Sequence, residues 1–186
     1  MNLAFRMDKN ILGAALLAVF SMVTGTHPID KPSVANADKP QGVTKPRVEA
    51  PPRSATVGEI KIPAVGLATR VIEGDDAGIL RQAVGHIPGT AVPGSSGNVG
   101  LAGHRNTFFR RLRTIQVGDE IKFVTTAATF EYRVVSLRVV LPDAVEVLAP
   151  TQQPTLTLVT CYPFDYVGDA PERLIVHAEM VPALPD

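Results

Sequence analysis

One cysteine, Cys161, is all the thiol chemistry in this sequence, so no disulfide can form within the chain. Charge of one sign is also missing. Lys and Arg number 18 against 18 Asp and Glu, so the formal net charge is zero, and nothing draws the chain as a whole to a nucleic-acid backbone or an anionic bilayer. Nucleic acid is therefore not an expected partner. The sequence has no internal repeat, which excludes solenoids and propellers, and no dinucleotide or phosphate-loop glycine pattern. Its 186 residues suffice for one domain of ordinary size plus an additional segment.

The first additional segment is apolar. Arg6 and Lys9 precede "ILGAALLAVFSMV" (11–23), and no charge interrupts the chain from Asn10 to Ile29. A membrane span takes about 20 apolar residues, whereas the apolar core of a cleaved export signal takes roughly 7–15. This run lies near the border. The best small-residue cleavage site, Ala35-Asn36-Ala37, falls well beyond Val23, so residues 1–25 are expected to be an uncleaved signal anchor. The basic flank on the short N-terminal side sets the expected orientation, a single pass with the remainder of the chain outside the cytoplasm.

Residues 26–57 carry six prolines and mixed charges without an apolar period. Such a stretch buries too little surface to offset its conformational entropy, and its prolines favour extended geometry. It reads as a stiff spacer. From Gly58 to Asp186 the texture changes to short β-rich runs separated by Gly and Pro: "GEIKIPAVGLATRVIEG", "GNVGLAGH", "GDEIKFVTT", "TFEYRVVSLRVVLP", "PTLTLVTC" and "RLIVHAEMV". Two stretches, "DDAGILRQAVGH" and "NTFFRRLRTI", have more helical spacing. The expectation is one all-β domain, a sandwich or a closed barrel.

An exported chain with a lone thiol invites the question of what that thiol does, since an unpaired cysteine in an oxidising compartment risks mispairing. In "TLTLVTC", strand alternation puts Leu156, Leu158 and Thr160 on one face and Thr157, Val159 and Cys161 on the other. Cys161 closes its strand just before Pro163, which cannot continue a central ladder. Such an end favours exposure of the thiol. In the last strand Leu174, Val176, Ala178 and Met180 form an apolar face opposite Arg173, Ile175, His177 and Glu179. If the two strands are neighbours, Cys161 and Arg173 share a rim.

A thiol nucleophile needs a base or an imidazolium beside it. His27 lies in the spacer. His86 sits in "GHIPGTAVPG", where a structural hydrogen bond suits it, and His177 stands four residues beyond Arg173, roughly 13 Å at about 3.3 Å per residue. His104 ends "NVGLAGHR", with Gly103 permitting close backbone approach. Spacing alone leaves the choice among the last three open.

"LAGHR", "TLVTC" and an arginine 12 residues after the cysteine together resemble the sortases, membrane-anchored cysteine transpeptidases of bacterial surfaces, and "TLVTCYPFDYVGDAPERLIV" is most similar to their class D branch. The resemblance covers residues 58–182. It implies an eight-stranded closed β-barrel with one or two short helices. It also implies a triad of His104, Cys161 and Arg173, with Thr160 at a position that lines the substrate groove in the family. The activity implied is attack of Cys161 on a backbone carbonyl in an LPxTG-like sorting motif of an exported protein, leaving a thioester. An amine, from a cell-wall precursor or a pilin lysine, then takes the acyl group. In that chemistry His104 serves as acid and base, Arg173 serves the oxyanion, and neither a metal nor an organic cofactor is required. Some relatives use calcium near the substrate loop, but Asp143 and Glu146 read here as a solvated loop. Two other readings remain in view: a non-catalytic anchored binding module, and an L,D-transpeptidase, which would carry a histidine close before the cysteine where "TLTLVT" stands.

Overall fold

A computed structural model of the chain describes residues 54–182, and the expected anchor, the spacer up to Arg53 and the last four residues lie outside them. Eight strands are present among the described residues: β1 (Thr56–Ile62), β2 (Leu67–Glu73), β3 (Val84–His86), β4 (Asn98–Ala102), β5 (Glu120–Val124), β6 (Thr129–Val140), β7 (Thr155–Tyr162) and β8 (Glu172–Met180). They close into a barrel in the order β1-β2-β3-β4-β7-β8-β6-β5. The expected eight-stranded barrel is thus what the chain forms, and strand pairing already begins at Thr56, inside the stretch read as spacer.

Alternation of side chains builds the wall. Leu156 and Leu158 of β7 and Leu174, Val176 and Ala178 of β8 join Ile60, Ile62, Ile121, Phe123 and Tyr132 in one buried cluster inside the barrel. Apolar burial of this kind contributes about 1.5–3 kcal/mol per large side chain. Closure between β1 and β5 depends on Gly58, because a Cβ there would collide with the Val124 carbonyl and the Phe123 ring.

Both stretches with helical spacing form short helices, each shorter than the run that suggested it. "DDAGILRQAVGH" holds only α1 (Ala77–Leu80), capped by the Asp76 side chain, which accepts from Gly78 N at 2.8 Å and Ile79 N at 3.2 Å. The same stretch then turns and becomes β3. "NTFFRRLRTI" forms a 3-10 turn over Phe108–Thr114, whose Phe109 and Leu112 plug the barrel. Further single 3-10 turns cover Pro63–Val65, which divides the first expected run into β1 and β2, and Val145–Leu148.

Candidate active site

Two pairings assemble the candidate residues. β7 and β8 are antiparallel, with Cys161 directly opposite Arg173. Residues facing each other across an antiparallel pair have Cβ atoms about 4.5–5.5 Å apart. β4 and β7 are parallel, with Ala102 opposite Val159, and the Gly103 amide continues the contact by donating to Val159 O at 3.2 Å. His104 follows Gly103 as Cys161 follows Thr160, so both stand at the same end of neighbouring strands. The histidine, the cysteine and the arginine therefore line one rim, in the spatial order β4, β7, β8.

Cys161 is half-buried and packs against the apolar group Leu80, Ile87, Ala102, Val159 and Ile175. Its surroundings moderate the exposure expected from its strand end. The His104 ring makes no hydrogen bond among the described residues, and burial, reinforced by the charge of Arg81, lowers its pKa below the ordinary 6.5. Arg173 Nη1 donates to Ala170 O at 3.1 Å and Glu172 O at 2.8 Å, leaving Nε and Nη2 without an acceptor among the described residues.

Thr160, expected to line the groove, does something different. It shares the inward face of Leu156 and Leu158, is fully buried, and donates its hydroxyl to Gly103 O at 2.8 Å. That hydroxyl is not offered to a substrate. It ties β7 to the residue before His104 and so joins the two halves of the rim. Gly103 is needed there, since a Cβ would stand 2.6 Å from the Phe109 ring.

His86 fills the structural role foreseen for it. Its ring is buried, with Nδ1 2.6 Å from Glu73 Oε2 and Nε2 donating to Ala91 O at 2.8 Å. His177 stands on the Cys161 side of the sheet but four residues along β8 from Arg173. Among the described residues no three His, Cys, Asp or Glu side chains converge as a metal site.

One device was not legible in the sequence. Arg105, next to His104, donates to the carbonyls of Pro163 (3.2 Å), Tyr166 (2.8 Å) and Gly168 (2.8 Å) and lies over the Tyr166 ring. Arg113 pairs with Asp165 and lies over Phe164. Two arginines of the β4–β5 connection thus hold the loop that joins Cys161 to Arg173. A cavity of about 390 Å³ opens between Leu137, Val139, Leu174 and Phe164, on the Leu174 face of β8, not on the face of Arg173.

Comparison with known proteins gives this rim a family. A family profile described as Sortase domain matches residues 60–181. The chain belongs to the sortase family. It is 34% identical over 125 residues to Sortase D of Bacillus subtilis, covering 67% of this chain and 63% of that one. It is 37% identical over 109 residues to Sortase SrtE1 of Streptomyces coelicolor, covering 52% and 30%. The chain therefore spans less than two thirds of the length of either relative. Among solved structures, a Clostridium perfringens Sortase D5 transpeptidase superposes with a TM-score of 0.65 at 33% identity, covering 70% of this chain and 82% of that one. Two of these three relatives carry the class D name to which the sequence resemblance pointed.

Proposed function

We propose that this sortase is a cysteine transpeptidase that cleaves an LPxTG-like sorting motif of exported proteins and transfers the acyl group to an amine. The observation that carries the reading is the register of three strands, which sets Cys161 opposite Arg173 and beside the strand that leads through Gly103 into His104.

Each group has a task suited to its surroundings. With its pKa lowered by burial, the His104 imidazole is mainly neutral near pH 7 and accepts the Cys161 proton as the thiolate attacks the motif's carbonyl carbon. The carbonyl oxygen becomes an oxyanion, which Nε and Nη2 of Arg173 stabilise. Collapse of the tetrahedral adduct breaks the C–N bond. The imidazolium of His104 protonates the departing amine, and the acyl group remains on Sγ as a thioester. An incoming amine, from a cell-wall precursor or a pilin lysine, gives its proton to His104, attacks the thioester and frees Cys161. Water in place of the amine turns the same cycle into peptide hydrolysis. No step calls on a metal or an organic cofactor.

Location belongs to the same proposal. Residues 1–25 anchor the chain in the cell membrane by a single pass, and residues 26–57 hold the catalytic domain, residues 58–186, away from it on the extracytoplasmic side. Carbonate extraction of membranes tests this: the protein is expected to stay with the pellet and to retain its first 30 residues. An N-terminus at Asp38 would mean a cleaved signal.

The decisive test of the reaction is incubation of the protein with a library of sorting-motif peptides, followed by mass spectrometry of the intact protein. An acyl adduct on Cys161 is expected, absent in Cys161→Ala and released by an added amine. No adduct with any motif, while iodoacetamide still labels the thiol, would favour the non-catalytic binding module.

A further inference from the structure

A second cavity, about 230 Å³, lies on the same outer face as Cys161 and Arg173, further along β8 and β6. Its polar lining includes Asn98, Ser136, Arg138, Glu146, Thr151 and His177. The wall is fixed from beneath. Asn98, 3% exposed, donates from Nδ2 to Val147 O at 3.0 Å and to Ala149 O at 3.4 Å, which holds the turn after β6 in place. Its Oδ1 accepts the Thr157 hydroxyl at 2.8 Å. With its own proton directed there, Thr157 Oγ1 faces His177 Nδ1 at 3.2 Å as an acceptor. His177 therefore carries its proton on Nδ1 and a lone pair on Nε2, consistent with burial lowering its pKa, while Glu179 raises it and Arg138 lowers it.

The groups that face the cavity form a definite pattern. Arg138 makes no hydrogen bond or ion pair among the described residues and is a donor only. Glu146 likewise has no partner among them and is an acceptor only. His177 Nε2 adds an acceptor, and the cavity as a whole carries no net charge. A carboxylate would meet Glu146, and an ammonium would meet Arg138. A neutral group with an oxygen at one corner and N–H bonds at the other satisfies both walls, and a carboxamide is that group.

Position says what brings the carboxamide there. His104 delivers a proton to the leaving amine from the β4 side, so the acyl part of a bound peptide runs the other way, over Arg173 toward β8 and β6. From Arg173 to His177 is four residues, roughly 13 Å, the span of four residues of extended peptide. We propose that this cavity is a subsite for an Asn or Gln side chain standing just before the sorting motif, about four positions ahead of the residue whose carbonyl is attacked. The inference rests on the transpeptidase reading.

The test uses motif peptides preceded by Gln, Asn, Ala, Glu or Lys, with that residue moved over the neighbouring positions. In the wild-type protein, kcat/KM is expected to be about five- to tenfold higher for Gln or Asn than for Ala at one position, the effect of one or two added hydrogen bonds. Arg138→Met should bring the Gln-to-Ala ratio to about one, and Glu146→Lys should turn the preference toward Glu. The ratio is the readout, so a general loss of rate does not mask it. Binding of the same peptides to Cys161→Ala, followed by fluorescence polarisation, reads the cavity without cleavage. Discrimination in binding with no cleavage by the wild type would sink the reaction and keep the subsite. Cleavage with equal rates for all five residues, or a Gln preference that survives both substitutions, would sink the subsite and keep the reaction.

Discussion

His86 and His104 end or follow neighbouring strands, β3 and β4, yet their rings are held in opposite ways. His86 is buried with both nitrogens engaged, one by Glu73 and one by the Ala91 carbonyl. His104 is partly exposed, and neither of its nitrogens has a partner among the described residues. An imidazole whose nitrogens are both bound cannot take a proton from a thiol without breaking a buried hydrogen bond. A ring with free nitrogens beside a half-buried cysteine can exchange protons at small cost. The difference separates a histidine that holds the fold from one that is available for chemistry.

The comparison breaks first on activity. His104→Ala is expected to lower peptide cleavage by roughly 10²–10⁴-fold, the usual contribution of a positioned acid and base, while iodoacetamide still labels Cys161. In His86→Ala, cleavage per folded molecule should stay within a few-fold of wild type. Loss of cleavage in folded His86→Ala, together with survival in His104→Ala, would exchange the two roles.

The converse holds for stability. His86→Ala leaves the Glu73 carboxylate buried, 3% exposed, with its hydrogen-bonding partner removed, a change that costs about 3–5 kcal/mol. Urea unfolding of the protein should show the midpoint falling strongly for His86→Ala and little for His104→Ala. Equal midpoints would mean that the His86–Glu73 pair contributes nothing.

These two histidines also mark how far the sequence could be read. Alternation in "TLTLVTC" and "RLIVHAEMV" correctly predicted which residues of β7 and β8 share a face, and an antiparallel neighbour across a short loop put Cys161 and Arg173 together. His104 joins them only through the parallel pairing of β4 with β7, whose partners are 57 residues apart, as Asn98 and Thr155 show. No local period reports such a pairing, so the histidine could be chosen only by family resemblance. The partner of His86 was hidden for the same reason: Glu73 faces it through the parallel β2–β3 pair. β3 itself is three residues long and follows an apolar spacing that suits a helix. Thr160 was misread because the inward face of a barrel strand carries polar groups only where a backbone acceptor, here Gly103 O, waits for them.

Gly103 sharpens the comparison on a smaller scale. A Cβ at this position stands 2.6 Å from the buried Phe109 ring, so Gly103→Ala must move the ring or the strand end. Overpacking of this kind costs about 1–3 kcal/mol. Because His104 is the next residue, cleavage should fall further than stability alone explains. A variant that is destabilised but fully active would show that His104 tolerates displacement.

Protonation acts in the same direction on both groove-side histidines. Burial lowers the folded-state pKa of His104 and of His177 below the ordinary 6.5, so folding disfavours their charged forms. Stability is then full above pH 6.5 and declines as the pH falls through that value toward the lowered ones. Unfolding curves between about pH 8 and pH 5 should show this decline, and it should be shallower in His177→Asn. A slope unchanged by the substitution would place the loss elsewhere, in the carboxylates.

The smallest effect concerns a polar group with no partner among the described residues and no reaction to perform. Tyr132 Oη is buried inside the barrel with no hydrogen-bond partner among the described residues, although the Gly94 backbone comes near, and burial pushes the phenol up to about 12. An unsatisfied buried hydroxyl destabilises the fold, whereas the ring around it fills the core. Tyr132→Phe keeps the ring and removes the hydroxyl. It is therefore expected to leave stability unchanged or to raise it by up to about 1 kcal/mol, with cleavage unaffected, because Tyr132 pairs with Met180 at the far end of β8 from Arg173. A loss of more than about 1 kcal/mol on urea unfolding would mean that the hydroxyl has a true partner in the Gly94 backbone. Tyr132 would then belong with His86 among the groups that hold the fold.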